Sequence, residues 1–125
     1  MCIRDSNKTV LPYHLDSFKQ AAGVIALDYS AEMDVRVERI KSERQRMLTA
    51  LADLPVTTWP SGANFFLFRA DDMAGDDLWH ALVDRSVLVR NCSTWPRIRE
   101  CLRVTVGTPA DNDRFLDAVG QVLAP

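Results

Sequence analysis

The residues in this sequence best suited to chemistry are two arginines, Arg90 and Arg103, set in the stretch VLVRNCSTWPRIRECLRVTVGT from Val87 to Thr108. Arginine's planar fork matches a carboxylate or phosphate with two parallel hydrogen bonds, and its charge does not titrate away. Each arginine belongs to a β-branched run, Val87 to Arg90 and Leu102 to Val106, and a loop containing Pro96 joins the runs. If the runs pair as neighbouring antiparallel strands, Arg90 closes the first, Arg103 opens the second, and both guanidinium groups project from the same end of one sheet. In Leu102-Arg103-Val104-Thr105-Val106 the apolar residues alternate with arginine and threonine. One face is therefore core and the other is polar and available. The pattern fits a two-anion clamp, and a pair of surface arginines balancing acids such as Asp84 and Glu100 is its competing reading.

Other chemistry is less well supplied. The cysteines are Cys2, Cys92 and Cys101, without a C-x-x-C pair, and the chain has only two histidines, so no zinc or iron-sulfur site is expected. Cys92 and Cys101 flank the loop, but in a reducing cytosol free thiols are the expectation. His14 has no carboxylate partner in its motif and reads as structural. Asp71, Asp72, Asp76 and Asp77 lack the spacing of a calcium loop and read as acids supporting the N-terminus of the next helix. Phe65, Phe66 and Phe68 have no interleaved basic residues, which favours core over a base-stacking platform.

The elements that must position the arginines follow from periodicity. A chain of 125 residues with 47% hydrophobic residues and a net charge of -2 suits one domain with a real core. Acids and bases are interspersed, which argues against nucleic acid. No apolar run approaches the roughly 20 residues of a membrane span, and a cytoplasmic location is expected. Met1 to Lys8 fits nothing that follows and reads as an extension foreign to the domain. After Leu11-Pro12-Tyr13-His14-Leu15, Asp16 or Ser17 caps a helix to about Tyr29, with Phe18, Ala21, Ala22, Ile25 and Ala26 on one stripe. A longer helix runs from about Ala31 to Leu54, with Met33, Val37, Ile40, Leu48 and Leu51 as its apolar stripe and pairs such as Glu32 with Arg36 on its charged face. Val56 to Trp59 and Ala63 to Arg69 read as strands, the second covered on both faces. A helix from about Gly75 to Arg85 buries Leu78, Leu82 and Val83. Thr108-Pro109-Ala110-Asp111 starts a last helix that turns Phe115, Leu116, Val119, Val122 and Leu123 inward. The order α, α, β, β, α, β, β, α predicts an α+β two-layer domain with a mainly antiparallel sheet.

Four segments, LPYHLDSFKQAAG, SGANFFLFR, VLVRNCSTW and CLRVTVGTPADNDRFLDAV, in this order resemble the C-terminal part of the histidinol-phosphate aminotransferase family. These are fold-type-I enzymes that use pyridoxal 5'-phosphate, and the resemblance runs from about Val10 to Leu123. It implies that Arg90 holds the substrate phosphate and Arg103 the substrate carboxylate. It implies residues 9–30 as an interdomain segment and helix, residues 31–125 as the small domain, and a homodimeric parent that also carries a large domain. In that family a lysine in a Ser-Lys context, upstream of the segment resembling LPYHL, holds the cofactor as a Schiff base. Lys8, Lys19 and Lys41 do not sit in that context. The resemblance thus implies no catalytic or cofactor-binding residue in this chain, which is expected to be inactive alone. Related aminotransferases, a threonine-phosphate decarboxylase, and a free-standing anion-binding module are the alternatives. A reading frame continuing upstream of Val10 into a Ser-Lys motif is the expected mark of the enzyme, and a natural start near Met1 that of the module.

Overall fold

In Phe65-Phe66-Leu67-Phe68-Arg69-Ala70, alternate side chains sink into the interior, as a strand with a period of two must arrange them. This strand is β2 of a computed structural model that describes residues 16–124. The His14 and Cys2 expectations, and that for Met1 to Lys8, lie outside the described residues. The elements in chain order are α1 (Ser17–Ala26), a 3-10 turn (Leu27–Tyr29), α2 (Ser30–Leu51), β1 (Val56–Thr58), β2 (Phe65–Ala70), α3 (Gly75–Asp84), β3 (Arg90–Asn91), β4 (Leu102–Thr105) and α4 (Pro109–Leu123). The predicted α+β order is the observed one.

Two compact units divide between Arg36 and Val37. In the first, Asp16 caps α1 by accepting from the Lys19 amide at 2.9 Å, and the helix buries none of its residues. Phe18, Val24, Ile25, Leu27, Tyr29 and Met33 are all exposed.

In the second unit the sheet order is β1-β2-β4-β3, and every pairing is antiparallel. Phe66, Phe68 and Ala70 of β2, with Leu102, Val104 and Val106 in and after β4, form one buried face. Met47 and Leu51 of α2, Leu78 and Leu82 of α3, and Phe115, Ala118 and Val119 of α4 complete the core against it. Phe68 anchors the centre, with its ring edge-on to Phe115 at 5.3 Å between centroids.

Several expected boundaries shift. The long helix stops at Leu51 rather than Leu54, and it buries Met47 and Leu51 fully and Ile40 and Leu48 partly, with Met33 and Val37 exposed. The helix buries only its C-terminal end in this core, so a stripe drawn along its whole length overstates the contact. On its charged face the ion pairs are Lys41 with Glu38 at 2.6 Å and Arg46 with Glu43 at 2.8 Å. Val83 is exposed, because α3 ends one residue later and turns only Leu78 and Leu82 fully inward. Strand β2 is not covered evenly: Phe65, Leu67 and Arg69 are half-buried on the face away from the core.

The turn after β4 is fixed by a buried asparagine. Thr108 and Asp111 form a reciprocal capping box at the start of α4, with Pro109 in the first turn. Beneath them the Asn112 amide donates to Glu43 Oε2 at 2.8 Å and to the Gly107 carbonyl at 3.2 Å, while its oxygen accepts from the Gly107 amide at 2.9 Å. A Cβ on Gly107 would lie 3.1 Å from the Asp111 Cβ, a tight approach between the turn and the first turn of α4. Arg46 donates to Glu43 and to Asp113 at 2.7 Å, tying α2 to α4. Arg46 and then Asn112 hold the Glu43 carboxyl below the usual carboxylate range.

Asn112→Ala would leave the Gly107 amide and carbonyl without partners. The expected loss is about 1–3 kcal/mol of stability. It is read as a lower denaturant midpoint at unchanged slope.

Candidate functional site

Strand β4 lies between β2 and β3, so its register fixes where Arg103 points. Leu102 and Val104 are buried, which turns Arg103 to the opposite face beside Leu67 of β2 and Arg90 of β3. Arg90 and Arg103 are direct partners across the β3–β4 ladder. Their side chains therefore leave the same face of the sheet.

The expected strand from Val87 to Arg90 is corrected by the structure. Only Arg90 and Asn91 pair with β4, and Val87 to Val89 have no regular structure, so Arg90 opens the short strand instead of closing a longer one. The preceding helix explains this: Ser86, at a φ of 60°, follows its end, and the Val87 amide still donates to the Leu82 carbonyl at 2.9 Å. The chain joins the ladder only after that turn is complete.

The two arginines have different surroundings. Arg103 is half-buried, and its guanidinium carbon lies 4.7 Å from the centroid of the Phe65 ring, a cation–π arrangement. Its Nε–H is buried and makes no hydrogen bond among the described residues. Arg90 is exposed. Among the described residues no hydrogen bond or ion pair engages either guanidinium. Glu100, one of the acids available to balance them, instead accepts from the Gly75 amide at 2.6 Å. Two like charges directly opposed, with no counter-ion among the described residues, are suited to an added anion.

Phe65 is not the core residue that the aromatic run predicted. It forms a floor for Arg103, while Phe66 and Phe68 fill the core. The turn before it is pinned: Arg44 donates to the Ala63 carbonyl, and Ser61 donates to the Phe65 carbonyl while accepting from the Ala63 amide at 3.1 Å. Arg69 stands on the same face, its guanidinium 5.8 Å from the Trp59 centroid.

Sequence reasoning missed the ties around Arg90. Trp79 of α3 donates its indole N–H to the Val89 carbonyl at 3.0 Å. Asp76, which its position marks only as an acid supporting a helix start, accepts from Asn91 Nδ2 and Ser93 Oγ, each at 2.6 Å. Those bonds, Ser93 first, hold its carboxyl below the usual aspartate range. The available signal was the spacing of Asp76 and Trp79, three residues apart on one helix face. Cys92 and Cys101 are buried free thiols at the base of the loop, joined by a Cys92 amide to Cys101 carbonyl bond of 3.1 Å. Burial pushes the Cys101 thiol up, which disfavours its nucleophilic form. Among the described residues no cluster of three or more His, Cys, Asp or Glu is arranged to hold a metal, and no helix is long and apolar enough to cross a membrane.

Residues 3–119 match the family described as aminotransferase class I and II. The chain belongs to that family. This aminotransferase segment is 40% identical over 118 residues to histidinol-phosphate aminotransferase 1 of Ralstonia nicotianae, covering 93% of this chain and 31% of that protein. It thus spans about a third of the length of that relative. Its fold resembles the crystal structure of the histidinol-phosphate aminotransferase from Clostridium acetobutylicum, with TM-score 0.62 and 26% identity over 66% of this chain and 26% of the other. It also resembles L-threonine-O-3-phosphate decarboxylase from Porphyromonas gingivalis, with TM-score 0.66 and 26% identity over 70% of this chain and 28% of the other.

The loop after β3 packs closely on α3. A Cβ on Gly75 would lie 2.7 Å from the Glu100 carbonyl oxygen, whereas one on Gly62 would meet nothing within 4 Å. Gly75→Ala is expected to cost about 1–3 kcal/mol by overpacking. Gly62→Ala is the control without a clash, and urea midpoints of the two variants check the difference.

Proposed function

We propose that this chain is the substrate-gripping small domain of a pyridoxal-phosphate-dependent histidinol-phosphate transaminase. The parent would convert histidinol phosphate and 2-oxoglutarate to imidazole acetol phosphate and glutamate. Arg90 takes the phosphate of histidinol phosphate, and Arg103 takes a carboxylate of glutamate or 2-oxoglutarate. The observation that carries this reading is the direct pairing of Arg90 with Arg103 on one face, with neither guanidinium engaged by an acid among the described residues. Histidinol phosphate carries a phosphate and no carboxylate, whereas glutamate and 2-oxoglutarate carry carboxylates, so the two fixed cations supply affinity and orientation to the two substrates in turn. The buried Nε–H of Arg103 gives a reason for a carboxylate there, since a buried donor without a partner carries a cost that a bidentate acceptor removes.

Pyridoxal phosphate supplies the electron sink for amino transfer when bound. The described residues of this chain do not fit a role in holding it. Lys19 is paired with Asp16 at 2.8 Å and Lys41 with Glu38 at 2.6 Å, both on exposed helix faces. The cofactor lysine and the general base belong to the large domain of the parent, which acts in the cytoplasm as a homodimer, and this chain alone is inactive. What the chain contributes is binding: Phe65 lies against the Arg103 guanidinium, and the β3–β4 register sets the spacing of the two cations. A threonine-phosphate decarboxylase would use the same grip, a second reading favoured by the likeness to the Porphyromonas gingivalis structure.

In the full-length parent, Arg103→Ala removes a charge-assisted pair of about 1.5–3 kcal/mol and is expected to weaken carboxylate substrates about 10- to 100-fold. Unchanged kinetics with glutamate would remove the carboxylate assignment. Arg90→Ala is expected to impair histidinol phosphate far more than histidinol. Equal losses on the two would count against the phosphate role, and release of carbon dioxide from threonine phosphate would favour the second reading.

A further inference from the structure

Arg90 sits in a strand of two residues at the edge of the sheet, preceded by backbone without regular structure. So short a ladder fixes little by itself, and the chain around Arg90 is held instead by one helix, on both sides. Before it, Trp79 of α3 holds the Val89 carbonyl at 3.0 Å. After it, one oxygen of Asp76, three residues earlier on the same helix, accepts from both Asn91 Nδ2 and Ser93 Oγ at 2.6 Å. Asn91 is thereby oriented so that its own oxygen accepts from the Ser93 amide at 2.8 Å. Arg103 needs no such tie, because β4 is flanked by strands on both sides and Phe65 lies against its guanidinium.

We propose that Asp76 is a positioning residue for Arg90 and, through it, sets the preference for phosphorylated over unphosphorylated substrates. The inference rests on the reading of Arg90 as the phosphate residue. Loss of the Asp76 carboxylate frees Asn91 and Ser93 together and lets the Arg90 backbone drift, while Arg103 stays in place. A displacement of this kind is costly for a bidentate contact, whose geometry tolerates only small errors.

The test is a double-mutant cycle in the full-length parent enzyme, with histidinol phosphate and histidinol as the paired substrates. Asp76→Ala is expected to raise KM for histidinol phosphate by about 10-fold, with kcat and the KM for histidinol little changed. In an Arg90→Ala background the same substitution is expected to have no further effect on KM, since its action runs through Arg90. Asp76→Asn, which keeps an acceptor oxygen, is expected to recover most of the loss and serves if the alanine variant does not fold. A wild-type KM in both Asp76 variants, an equal loss on the two substrates, or a loss that persists without Arg90 overturns the positioning role. If Arg90→Ala is selective for the phosphorylated substrate and Asp76→Ala is not, only this proposal fails; if Arg90→Ala is itself unselective, the phosphate reading fails and takes the proposal with it.

Discussion

The arrangement of this domain depends on the register of β4 between β2 and β3. Leu102 and Val104 must enter the core beside Phe68 and Phe66, and the two-residue period of a strand then leaves Arg103 on the other face. A slip of one residue would bury the guanidinium and expose the leucine and valine. Apolar burial on one side therefore enforces charge placement on the other.

That placement has a cost within the domain. Arg90 and Arg103 face one another across an antiparallel ladder, where like charges disfavour pairing. The ties from Trp79 and Asp76 to Val89, Asn91 and Ser93 hold the edge segment from outside the ladder. An anion between the guanidinium groups would turn the repulsion into attraction. On the proposed reading of the two arginines, the edge strand is the part of the sheet in which stability and binding are most closely coupled.

Much of this was legible in the sequence because it followed from period and capping. The alternation in Leu102 to Val106 assigned the face of Arg103, and Thr108-Pro109-Ala110-Asp111 marked the start of α4, which the capping box matches. What was not legible came from tertiary placement. Nothing local distinguishes Phe65, set against an arginine, from Phe66 and Phe68 in the core, because an unbroken aromatic run hides which face each member takes. Asp76 looked like a helix-start acid, and it is one, but its bonds reach a segment 15 and 17 residues away. The strand expected at Val87 shortens because the end of α3 still holds the Val87 amide, a competition that β-propensity does not register.

The loop from Cys92 to Cys101 is closed at its base by a backbone hydrogen bond between those two residues. The distance between Arg90 and Arg103 along the chain is consequently independent of their separation in space, which belongs to the ladder. Residues such as Thr94 to Arg99, exposed or half-buried beyond that closure, form a segment whose length can drift among relatives without moving either cation. A search for the proposed grip in distant sequences should fix the two strands and let the gap between them vary.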